Sequence, residues 1–165
     1  MKLLALYEFV EPRRARAGFV TFGAWLAVTG VALALTPDPA GHGTHKQLGL
    51  SACPSAALFD RPCPGCGLTT SWTALVHGDL AASLRAHALG PLTYGLFAGF
   101  ALLSLYGALR GRRLIAEGRG FNLALALFAA VFFAYAGWRF VTGAGYGTRG
   151  ERILAETAIR GSISR

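Results

Sequence analysis

Residues 88–109 read ALGPLTYGLFAGFALLSLYGAL, 22 positions without one charged side chain. As a helix rising 1.5 Å per residue, such a stretch covers the roughly 30 Å hydrocarbon core of a bilayer. Working outward, residues 17–35 and residues 120–138 form two more uncharged stretches of 19 residues each. Each satisfies its own backbone hydrogen bonds as a helix, which lipid cannot do for it. Around them the 165-residue chain carries only 16 basic and 8 acidic residues against 53% hydrophobic ones, with a mean hydropathy of +0.45. That is too little charge for a water-facing surface. The sequence therefore predicts an all-α integral membrane protein: three transmembrane helices and a short half-helix after Cys63-Pro64-Gly65-Cys66-Gly67. A soluble enzyme, a disordered tail and a DNA-binding domain are excluded.

The formal net charge of +8 fits the same picture, because the basic residues sit where the spans end. Arg13, Arg14 and Arg16 precede the first span, and Arg110, Arg112, Arg113 and Arg119 separate the second from the third. This is the distribution of cytoplasmic flanks in contact with anionic headgroups, not of a nucleic-acid interface. Lys/Arg asymmetry puts the tail (1–16) and the basic loop (110–119) in the cytoplasm, and the segment 36–67 on the outer face of a bacterial inner membrane. The C-terminal tail (139–165) then falls outside despite Arg149, Arg152, Arg160 and Arg165, unless the stretch between the first two spans also crosses. Nineteen apolar residues exceed the 7–15 of a signal-peptide core, so residues 17–35 read as an uncleaved anchor.

Between the first two spans the composition turns to Pro, Gly, His and Cys. Thr36-Pro37-Asp38-Pro39 stops the first helix, and Gly41-His42-Gly43-Thr44-His45 reads as open loop. Pro64 suits a first helical position, which predicts Cys63 as N-cap and Cys66 as third residue of a half-helix within 66–87. Leu68, Trp72, Leu75 and Val76 mark its apolar face; Thr69, Thr70, Thr73 and His77 mark another. Gly78 ends it, and Asp79 caps a short continuation from Leu80 to His87.

Cys53-Pro54, then Cys63-Pro64-Gly65-Cys66-Gly67-Leu68-Thr69, then Gly78-Asp79-Leu80-Ala81-Ala82 and the span from Ala88 resemble the domain of unknown function family 2752. These are small bacterial membrane proteins with a Cys-Pro-x-Cys-Gly signature, and the resemblance covers about residues 50–109. The chain departs from the family pattern at Thr70, where Arg is usual, and at His87-Ala88, where Asn-Pro is usual. The resemblance implies a membrane class and no reaction.

Three cysteines spaced C-x9-C-x2-C are the constellation with chemical potential. A Cys at a helix N-terminus is favoured as thiolate, which suggests thiol–disulfide exchange with Cys63 attacking and Cys66 resolving. Cys53, Cys63 and Cys66 with His42 or His45 form a Cys3His set for zinc or another thiophilic metal. His77, eleven residues beyond Cys66, is out of reach on a continuous helix. A Cys63–Cys66 or Cys53–Cys66 disulfide, or plain packed thiols, completes the alternatives. With one C-x2-C pair, a lone Cys and no thioredoxin-like context, the sequence favours a structural or assembly subunit of a membrane complex over an enzyme or a metal protein.

Gly95 and Gly99 in the second span, and Ala126, Ala130 and Ala134 in the third, offer small residues every fourth position. Such stripes let helices approach closely, within one chain, in a homo-oligomer or against a membrane partner. His77 and His87 read as hydrogen-bonded interfacial histidines, with a proton relay as the alternative. Glu156 and Arg160 can pair on a solvated tail helix. No phosphate loop, Ser-His-Asp order or carboxylate pair is present.

Overall fold

The computed structural model describes residues 7–9, 12–51, 53–114 and 118–143. The remainder of the C-terminal tail, with its Glu156–Arg160 pair, lies outside the described residues. Among the described residues, three helices are long and apolar enough to cross a membrane: α1 (Pro12–Ala34), whose apolar part runs Arg16–Ala34, α5 (Gly90–Leu109) and α6 (Arg119–Thr142). Between α1 and α5 lie a 3₁₀ helix (Thr44–Leu48) and three short helices, α2 (Pro54–Phe59), α3 (Leu68–Val76) and α4 (Leu80–Ala86). The longest of these is nine residues, or about 14 Å, so none crosses a bilayer.

The long helices α1 and α5 pack against each other. Their contact is made where side chains vanish. Gly18 of α1 faces the Ser104 carbonyl and the Ala108 methyl of α5 so closely that a Cβ would collide with both. Ala101, Ser104 and Ala108 are buried along this seam, and Thr29 shares a 2.9 Å hydrogen bond with the Tyr94 hydroxyl across it. Small residues that let backbones approach are what membrane helix pairs require. The Gly95/Gly99 stripe is not this contact, since a Cβ at either meets nothing within 4 Å. Two three-residue strands, β1 (Tyr7–Phe9) and β2 (Arg112–Leu114), pair antiparallel and tie the start of α1 to the end of α5, a local feature that the charge pattern concealed.

The short helices pack through hydroxyls. Ser83 Oγ donates to the Ser71 carbonyl at 2.8 Å, and the two hydroxyls bond each other at 2.8 Å, joining α3 to α4. Gly90 at the start of α5 abuts Ser71 with no room for a Cβ. Trp72 Nε1 donates to the Gly90 carbonyl and to Thr93 Oγ1, both at 3.1 Å, fastening α3 to α5. Asp79 accepts from the Ala82 N–H at 2.7 Å and so caps α4.

The third span is different. Ala136 is the one buried residue of α6 among those described, and Ala126, Ala130 and Ala134 are exposed. Its anchorage is at the C-terminal end. Phe132 and Tyr135 contact the His87 ring at centroid distances of 5.8 and 5.3 Å, and Tyr135 OH accepts from the Ala88 N–H at 3.2 Å. Phe140 meets Phe59 of α2 edge-on at 6.2 Å.

Candidate metal centre

Cys53, Cys63 and Cys66 converge: their sulfurs all lie within 4.8 Å of one another. All three are free thiols, Cys66 buried and the other two half-buried. They reach this arrangement by separate local devices. Cys53 is the N-cap of α2, where Pro54 occupies the opening turn, and Asp60 ends that helix in the left-handed region at φ 52°. Cys63 and Cys66 bracket a tight turn closed by a 3.0 Å bond from the Cys66 N–H to the Cys63 carbonyl.

That turn corrects the expected helix start. α3 begins at Leu68, so Cys63 is not its N-cap and Cys66 is not its third residue. The cause is Gly67, the actual N-cap, held at φ +84° with its backbone pressed against the carbonyls of Ala86 and Gly41. A helix from Pro64 cannot pass through a left-handed residue. The consequence is that both sulfurs of the motif sit on a loop and converge with that of Cys53, while the Cys66 carbonyl meets the end of α6.

A cavity of about 100 Å³ adjoins the sulfurs, lined also by His42, His45, Lys46 and Thr70. Organic ligands occupy pockets of ~300–1,000 Å³, so this one suits an ion with a water or two. The loop carrying the histidines is pinned from below: buried Thr44 shares a 2.8 Å hydrogen bond with buried Thr70 of α3 and accepts from the Asp38 N–H at 3.0 Å. The two histidines expected from sequence thus face the sulfur cavity. His77 does not; it caps the far end of α3, its Nδ1 2.8 Å from the Thr73 carbonyl.

The sulfurs are electrostatically unequal. Burial alone would push the Cys53 thiol up, but hydrogen bonding by Cys63, the amides of Ala56 and Ser55, and Cys66 outweighs it and leaves Cys53 below the ordinary value of 9.0. Burial, reinforced by the hydrogen bond with Cys63 and by the neighbouring sulfurs' charge, pushes Cys66 up to about 12. Three sulfurs this close repel as anions, and a cation between them removes that penalty.

Arg139 was legible only as a charge at the end of a span, yet it holds the site. Its guanidinium donates to the Cys66 carbonyl at 2.9 Å and to the Ala86 carbonyl at 3.4 Å, while lying 5.7 Å from the Tyr135 ring centre. Arg61, just before the motif, donates to the Gly143 carbonyl at 2.6 Å and to that of Val141 at 3.3 Å, completing a two-way clamp with the end of α6. His87 supports the turn from behind, Nε2 donating to the Pro64 carbonyl at 3.3 Å with Nδ1 buried and without a partner among the described residues. Burial keeps this ring below its ordinary value of 6.5, the Pro64 bond opposing and the Arg139 charge assisting.

Fold and site together define a small multi-pass membrane protein whose spans carry a sulfur cluster on a loop outside the bilayer-length helices. Residues 53–101, from the first cysteine through most of α5, match the model of a protein family described as a protein of unknown function (DUF2752). No curated protein and no solved structure matches the chain.

Proposed function

We propose that this is a metal-binding membrane protein that captures a thiophilic ion on Cys53, Cys63 and Cys66. The observation that carries it is the mutual 4.8 Å limit on three sulfurs drawn from two separate loop segments. Zn–S bonds of ~2.3 Å in tetrahedral geometry place thiolates about 3.8 Å apart, so closing on an ion needs movement of about 1 Å at most. A disulfide accounts for two of the sulfurs and leaves the third without a reason to be there. This favours metal capture over the assembly role that the sequence suggested. Charge asymmetry further supports an outer-face cluster with the N-terminus in the cytoplasm, which a membrane-impermeant maleimide labelling Cys53 in intact cells would check.

The test is elemental analysis of the full-length protein purified in detergent. One ion per chain is expected, lost in Cys53→Ser, Cys63→Ser and Cys66→Ser alike. Metal content untouched by Cys53→Ser would overturn the proposal.

The inequality of the thiols favours one second reading, exchange with a disulfide of a partner protein. With Cys63 on a loop and not at a helix N-terminus, and with Cys66 pushed up by burial, the roles expected from sequence shift: the Cys53 thiolate attacks that disulfide, forming a mixed disulfide and expelling one partner thiolate. Cys63, after losing its proton to water, attacks the Cys53 sulfur and expels the second. The chain ends oxidised and the partner reduced. Cys63→Ser would then accumulate a mixed disulfide through Cys53, seen as a reductant-sensitive adduct, which the metal reading does not produce.

A further inference from the structure

We infer that His45 is the fourth ligand of the sulfur centre, binding through Nδ1, and that the site therefore takes a divalent, tetrahedral, zinc-type ion. The inference rests on the three-sulfur metal reading and adds to it the ligand that completes the coordination. His45 lines the same cavity as the three cysteines, as His42 does, with its ring outside the close sulfur group, so ligation requires the 3₁₀ helix to close on the sulfurs. Its Nε2 lies 3.2 Å from the Ser51 carbonyl oxygen. A carbonyl can only accept, so in this contact Nε2 carries the proton, and the neutral ring then has its lone pair on Nδ1. A backbone carbonyl fixing the tautomer and orientation of an imidazole is what ligating histidines characteristically have behind them.

The ring is also well placed on the chain. It follows Thr44, whose burial and 2.8 Å bond to Thr70 fix the 3₁₀ helix to α3. Ser51, which holds Nε2, precedes Cys53 by two residues, so the contact ties the histidine loop to the strand of chain delivering the first sulfur.

Charge selects the ion. Three thiolates and a neutral imidazole around a divalent ion leave a net charge of about −1, which Lys46 on the cavity wall can offset. A monovalent ion would leave about −2, of which the same lysine offsets only half.

Cobalt(II) reports on such a centre by its sulfur charge-transfer and ligand-field bands. The full-length protein in detergent is titrated with Co²⁺ and then back-titrated with Zn²⁺. The wild type should show tetrahedral bands of sulfur-rich ligation. His45→Ala should shift the ligand-field bands and weaken Zn²⁺ by at least the ~10–100-fold that loss of an outer-shell partner costs, with His42→Ala leaving both unchanged. His45→Cys should restore affinity and add charge-transfer intensity, which a merely structural histidine would not do. Unchanged bands in His45→Ala, or loss of affinity in His42→Ala instead, would overturn the His45 assignment and leave the three-sulfur centre standing. A wild type that takes up no cobalt would overturn the centre itself, and the fourth ligand with it.

Discussion

Removing the Arg139 guanidinium should loosen a metal centre to which it contributes no ligand atom. Its 2.9 Å bond to the Cys66 carbonyl joins a span to the turn that presents two of the three sulfurs. A hydrogen bond from a charged donor is worth about 1.5–3 kcal/mol. The 5.7 Å contact with the Tyr135 ring adds roughly 0.5 kcal/mol at a half-exposed site. Arg139→Ala therefore costs the docked arrangement about 2–3.5 kcal/mol, and at 1.4 kcal/mol per decade this is roughly a 30- to 300-fold loss of metal affinity. Arg139→Lys keeps the charge but not the fork that reaches two carbonyls, and should fall between. The assay is competition for Zn²⁺ against a chromophoric chelator, with circular dichroism to confirm that the helices persist. Wild-type affinity in a folded Arg139→Ala protein would refute the view that α6 holds the cysteine turn in place.

Gly67→Ala puts a Cβ against the Ala86 and Gly41 carbonyls at φ +84°, and should cost about 2–4 kcal/mol, read as a lowered unfolding temperature and a lost metal site. His87 is held neutral by burial, so the unfolded chain binds a proton that the folded one refuses. Its contribution is complete above the ordinary value of 6.5 and is lost as pH falls below it, a slope in thermal stability that His87→Gln should flatten. In metal-free protein, iodoacetamide at mildly alkaline pH should modify Cys53 before Cys66, because one thiol lies below 9.0 and the other near 12; peptide mass spectrometry gives the order, and the reverse order would contradict the assignment. Trp72→Phe removes the indole donor to Gly90 and Thr93 and should destabilise the α3–α5 contact by about 1 kcal/mol.

The spans were legible because lipid imposes one strong rule, the exclusion of charge over a bilayer's thickness, and residues 17–35, 88–109 and 120–138 obey it. The site was legible as a set of residue types and not as a geometry. C-x9-C-x2-C leaves open where the first sulfur lies, and its place is decided by α2, six residues too short to show a period. Pro64 argued for a helix from Cys63, and a local propensity lost to a tertiary one: Gly67 must turn left-handed to let Ala86 approach. That the close helix contact falls at Gly18, and not at the Gly95/Gly99 stripe the sequence offered, depends on which face of α5 meets α1. With both neighbours apolar, no polarity marks that face.

Arg139 was the least legible residue, and the reason bears on how the protein is built. A charge beside Trp138 at a span's end has a sufficient explanation in the interfacial belt, so nothing in the sequence asks it to do more. Yet α6 is exposed to its surroundings along nearly all its length, and its polar contacts with the rest of the described chain gather at the end where Tyr135, Arg139, Val141 and Gly143 meet the cysteine loop. A helix held at one end can swing at the other. Lipid or a neighbouring helix that shifts α6 would pull on the Cys66 carbonyl directly, and the tilt of the third span thereby becomes a variable on which the sulfur geometry depends. Spin labels on Leu123 and Leu102, with distances read before and after Zn²⁺ loading, would register the coupling: a distance distribution that narrows with the metal is expected, and one indifferent to it would mean that the clamp holds the loop without sensing the span.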